Sequence, residues 1–234
     1  MEDQKTKDKT QIMKLLLKKG GMIMKKVIIY ILIIVILAAI PAGCNKKVEI
    51  VKPEHVSRGE VVDGYYVNKD MGFKIKVPED YYIATEEDLD TKFDIKQHVE
   101  DDELEMFITY LAFFSQKPID DAQDNSHIMI SVEDASKYGY ADKDTYIEYM
   151  SNSKADTYRN VKEAKITLSN QTNMWLGNRK FANRTITLDL HDLYIIFDMY
   201  AVVKNGYFLS IMIGAHNESD LEYLRGYLDT FSFE

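Results

Sequence analysis

Two long apolar runs, 193–203 and 207–213, flank the dipeptide Asn205-Gly206. Asn-Gly between such runs is the strongest short-range hairpin signal, because a type I′ turn requires positive φ at both central positions. The pattern predicts two long antiparallel strands at the centre of a sheet. A chain built around that hairpin must cover both faces of the sheet with other elements.

The rest of the chain supplies them. Phe73, Ile75 and Val77 alternate with Lys74 and Lys76 before Pro78, the period of a half-buried strand. With 65–67 and a turn at 68–70, this predicts a first hairpin. Thr85 followed by Glu86, Glu87 and Asp88 predicts a helix start with acids in its first turn, and Leu89 and Phe93 follow at helical spacing. Segments 106–114 and 127–132 are apolar enough for buried strands. Asp142 to Thr145 predicts a second helix start, with Tyr146, Ile147 and Met150 on one side. Short strands are expected at 165–168 and 173–176, and an alternating one at 184–188. A last helix starts near Glu218, with Leu221, Leu224, Tyr227 and Leu228 on one face, and 231–233 reads as a closing strand. Strands dominate, which implies an α+β fold with an antiparallel sheet and helices on its faces.

The first hairpin, carried by Tyr66, Val67, Gly72, Phe73, Ile75, Val77, Pro78, Glu79 and Tyr81, resembles the opening of PsbP-like domains. That family includes an extrinsic photosystem subunit, a Ran-binding import factor and many exported bacterial proteins. The closing helix and Phe231-Ser232-Phe233 look like its last helix and strand. The resemblance covers 64–234 and implies an α-β-α sandwich around a central antiparallel sheet, with a binding or assembly role. It carries no catalytic motif to transfer.

The N-terminal region reads differently. Lys25 and Lys26 precede an uncharged run of 14 residues, 27–40, closed by Pro41, Ala42, Gly43 and Cys44. The run spans about 21 Å as a helix, short of the roughly 30 Å of a bilayer core. A basic start, a short apolar run and small residues before a cut make a secretory signal. The quartet 41–44 resembles the lipobox of bacterial lipoproteins, with Pro41 where that family has an aliphatic residue. The resemblance implies cleavage before Cys44 and a diacylglycerol thioether on it, whose two acyl chains anchor stably. The protein would then sit on the extracytoplasmic face of the cell membrane. An uncleaved signal anchor and a conventionally secreted protein are the alternatives. Cys44 is the chain's only cysteine, so no internal disulfide is possible. Residues 1–23 read either as a stretch upstream of a true start at Met24, suggested by Lys18-Lys19-Gly20-Gly21, or as a basic cytoplasmic leader. Residues 44–63 read as the lipidated cysteine and a tether, and 64–234 as one domain.

Residues 1–43 hold 8 of the 29 basic and 3 of the 38 acidic residues, so the remainder carries 21 against 35, a net charge of −14. Such a balance repels nucleic acid and anionic headgroups. The expected partners are the membrane, through the lipid on Cys44, and an envelope protein.

Candidate chemistry is sparse, and no cofactor is expected. The five histidines (55, 98, 127, 191 and 216) lack ligand spacing. Asp189, His191 and Asp192 form the best cluster, either a metal or hydrolytic site acting on envelope material, or a polar turn between strands. Ten acids between Glu86 and Glu105 lack the alternating Asp and central Gly of a calcium loop and read as a solvated face. Ser151, Ser153 and Ser210 stand in no Gly-x-Ser-x-Gly elbow. The expected binding surface is aromatic: Trp175, Tyr194 and Tyr200. No catalytic residue is assigned, and the preferred role is a non-enzymatic binding or assembly module.

Overall fold

In the computed structural model the Asn205-Gly206 turn joins β10 (Tyr194–Lys204) to β11 (Tyr207–Ala215), with φ of 52° and 80° at the two turn residues. The described residues are 55–93, 108–118, 125–139, 141–161, 163–191 and 193–234. They fall within one compact unit, Ile50–Glu234.

The remaining strands are β1 (Glu60–Val62), β2 (Tyr65–Asn68), β3 (Phe73–Lys76), β4 (Tyr82–Ile83), β5 (Ile108–Ser115), β6 (His127–Asp134), β7 (Lys165–Leu168), β8 (Thr172–Leu176), β9 (Arg179–Asp189) and β12 (Ser232–Phe233). The helices are α1 (Glu86–Phe93), α2 (Lys143–Tyr158) and α3 (Glu218–Leu228), with a 3₁₀ turn at Ala135–Tyr138. A large antiparallel sheet runs β4-β5-β6-β11-β10-β9-β7, with β8 also on β9. A smaller one runs β1-β2-β3-β12. The expected α+β architecture around a central antiparallel sheet holds, and the predicted hairpin sits at its centre. The first hairpin belongs to the smaller sheet, which β12 closes by pairing with β3.

Side-chain alternation sorts the core onto the two faces of the large sheet. One face carries Phe114, Ile128, Ile130, Phe181, Ile196, Leu209, Ile211 and Ile213 and packs on α3 and the smaller sheet through Leu221, Leu224, Leu228, Phe73 and Phe231. The other carries Ala182, Ile186, Phe197, Met199, Ala201 and Phe208 under Tyr146, Ile147 and Ala155 of α2. A third cluster places Leu89 of α1 on Phe113. Every member of the three clusters lies between 56 and 233, so the unit holds its own core.

Helix starts follow local chemistry. The Asp142 side chain accepts from the Thr145 N–H at 2.8 Å, and Asn217 does the same for Asp220 at 2.8 Å. Thr85 and Asp88 form a capping box: Asp88 N–H donates to Thr85 Oγ1 at 3.1 Å and Thr85 N–H donates to Asp88 Oδ2 at 2.8 Å.

The domain begins earlier than the sequence predicts. Val56 is buried, Ser57 N–H donates to Asp70 at 2.7 Å, and β1 pairs with β2. Folded structure is therefore present from Val56, inside the stretch 44–63 that the sequence reads as a tether. Residues 1–54, with the apolar run and Cys44, lie outside the described residues. Among the described residues no helix is long and apolar enough to cross a membrane.

Candidate functional site

The proposed aromatic trio does not come together. Tyr200 is buried at 1% exposure, and its hydroxyl donates to Asp198. Trp175 pairs with Lys180 on the α2 side of the sheet, near the β8–β9 turn. Tyr194 starts β10 on the opposite face, with the parity of Ile196 and Tyr200. Trp175 and Tyr194 are exposed, but on different faces and at opposite ends of β10.

Tyr200 instead belongs to a closed polar knot. Asp198, at 0% exposure, accepts at Oδ1 from Asn183 Nδ2 (2.9 Å) and Thr185 Oγ1 (2.8 Å), and at Oδ2 from Tyr200 OH and Arg225 Nε (2.7 Å). Asn183 is itself held by Thr172 Oγ1 at 3.0 Å. A carboxylate with four donors is satisfied; its work is to fix α3 on the sheet.

Asp189 lies 3.7 Å from Lys165 in an exposed ion pair. His191 stands exposed in the β9–β10 turn with φ of 68°, and Asp192 lies outside the described residues. Among the described residues no group of three His, Cys, Asp or Glu is placed to hold a metal ion. Two described acids of the 86–105 run have partners: Asp90 pairs with Arg58 at 2.6 Å, and Asp88 caps its helix.

The feature that stands out lies between the helices on the α2 face. There α2 covers β7, β9 and β10, while α1 covers β5. Between them run β11 and β6, whose paired residues form a two-strand floor: Ser210 with Ser131, Met212 with Met129, Gly214 with His127. Both methionines are half-buried. One wall is the α2 stripe Tyr146, Met150, Lys154, Tyr158, at a spacing of four; the other is Tyr110 and Phe113 of β5.

The two ends of this groove differ. At one, Tyr146 stacks on Phe208 with ring centroids 3.9 Å apart. Its hydroxyl and that of Tyr138 both donate to Glu133, buried at 1% exposure. Burial raises the Glu133 pKa above the usual carboxylate value. At the other end, the Lys154 ammonium lies 4.5 Å from the Phe197 ring centroid, and burial lowers its pKa. His127 stacks on Phe113 at 4.9 Å and donates from Nδ1 to the Asn125 carbonyl at 2.8 Å. That bond leaves its Nε2 as an acceptor, and burial lowers its pKa to about 4. His216, two residues past His127's partner Gly214, has a buried Nδ1 with no hydrogen-bond partner among the described residues.

Single-residue spacing did not reveal this site. His127 comes from β6, His216 from just past the end of the neighbouring β11, and the lysine from a helix. The available signal was alternation: His127, Met129 and Ser131 share one parity of β6, opposite Ile128, Ile130 and Val132, and Ser210, Met212 and Gly214 share one parity of β11.

No family model matches the chain, and no curated protein matches it in sequence. Among solved structures it is similar to the solution structure of cyanobacterial PsbP (CyanoP) from Synechocystis sp. PCC 6803. The TM-score is 0.46 and the identity 10%, over 76% of this chain and 98% of that chain.

Proposed function

We propose that this chain is a lipid-anchored, extracytoplasmic binding module whose ligand lies in the methionine groove between α1 and α2. The observation that carries the binding half is the groove itself: half-buried Met129 and Met212 between two helices, ending at a lysine ammonium beside two imidazoles. Methionine suits a surface that must adapt to an occupant. A concave apolar strip with a few convergent polar groups is the usual form of a small-molecule site. The anchoring half rests on the sequence 24–44.

Two measurements test the halves separately. Labelling with palmitate should mark the wild-type protein and not Cys44→Ala; a membrane-bound wild type without label would favour the signal anchor. A thermal-shift screen of small envelope-type molecules should give hits that Met212→Glu abolishes, and hits indifferent to it would place the ligand elsewhere. Hydrolysis at Asp189 and His191 is not favoured, because Asp189 is engaged by Lys165 at the sheet edge and His191 stands in an exposed turn.

A further inference from the structure

Taking the groove as the binding site, its lining specifies the chemistry of the occupant. Lys154 Nζ has ring faces beside it, 4.5 Å from Phe197 and 5.9 Å from Tyr158. No carboxylate of the described residues lies within ion-pair distance of it. Rings offset part of the cost of desolvating an ammonium, but they supply no lone pair to its three N–H donors. Lys154 is half-buried, and a partly desolvated cation without a counter-charge favours an anionic partner.

The nearby groups do not neutralise it. His127 is held with Nδ1–H on a carbonyl, and His216 Nδ1 is buried without a partner among the described residues. The only carboxylate described at the groove, Glu133, sits at the far end and is taken by Tyr138 and Tyr146. Between the ends the floor is Met212 beside Met129, then Ser210 beside Ser131. It is two strands wide and about 13 Å long from residue 127 to residue 131. One positive charge at the head of a narrow apolar strip complements one negative charge at the head of a narrow apolar chain.

We propose that the groove binds a small amphipathic monocarboxylate, with its carboxylate on Lys154 Nζ and its unbranched apolar chain along Met212 and Met129.

Calorimetric titration of a recombinant form beginning at Ile50 tests this with decanoate, decanol and inorganic phosphate. Decanoate should bind more tightly than decanol. Lys154→Gln should weaken decanoate at least about tenfold, the loss of one charge-assisted contact, while leaving decanol unchanged. Lys154→Met, which keeps the stem without the charge, should behave alike and covers a folding failure of the first variant. Equal decanoate affinity in wild type and both variants would overturn the inference, as would Lys154-dependent binding of phosphate without binding of decanoate, or no binding of either decyl compound. Decanoate binding that Met212→Glu leaves untouched would remove the groove as the site, a failure of the broader reading distinguishable from that of the carboxylate contact.

Discussion

The imidazole of His127 lies so close against Gly214 that a Cβ there would sit 2.3 Å from Cε1 and 2.6 Å from Nε2. The glycine is fixed by space, not by backbone conformation. Gly214→Ala must push the ring off its contact with Phe113 and its bond to Asn125, at about 1–3 kcal/mol. Chemical denaturation checks the value. Pairing it with His127→Ala should recover part of the loss, because the second change removes the atoms that clash.

The same histidine gives stability a pH dependence of known sign. Its folded pKa, about 4, lies below the ordinary value of about 6.5, so the unfolded chain binds the extra proton between them. Its contribution is full above about pH 6.5 and is lost as pH falls toward 4, a swing of roughly 3 kcal/mol. Glu133 acts oppositely: its raised pKa makes its contribution fall as pH rises through the ordinary carboxylate value toward the folded one. Unfolding free energies measured from pH 7 to 4 should therefore fall less steeply in His127→Gln than in wild type, and more steeply in Glu133→Gln. Parallel profiles would contradict the burial of both groups.

Asp198→Ala should cost about 3–5 kcal/mol, because it leaves Arg225, Tyr200, Asn183 and Thr185 aimed at nothing. Adding Arg225→Met should cost less than the sum of the single changes, since it removes a cation that has already lost its partner. A urea-denaturation cycle measures the coupling.

Gly206→Val should destabilise the unit by about 1–3 kcal/mol, because a β-branched residue resists positive φ. The turn joins the two central strands, so the midpoint of the whole thermal transition should drop, with no separate early melting.

That turn was legible in the sequence because its chemistry is local: two residues fix the geometry, and the strands follow from them. The helix starts at Asp142 and Glu218 were legible for the same reason. The groove was not, because its floor needs the register that sets Met212 beside Met129. The aromatic trio failed on a related point. Tyr200 shares a face with Asp198, and nothing local announces that Asp198 is buried under Arg225 from 27 residues further on. Val56 was missed as core because a lone apolar residue in a charged stretch shows no period.

The pairing of Phe233 with Phe73 joins residues 160 positions apart. Until residue 233 has emerged from the ribosome or from an export channel, β3 lacks its second neighbour and the Phe73 ring lacks the Phe231 ring that stacks on it at 5.2 Å. Loop-closure entropy is met before that contact is gained, which slows assembly. The smaller sheet thus cannot close before residue 233 is free to pair, and a partly emerged chain presents Phe73 and Ile75 to whatever escorts it.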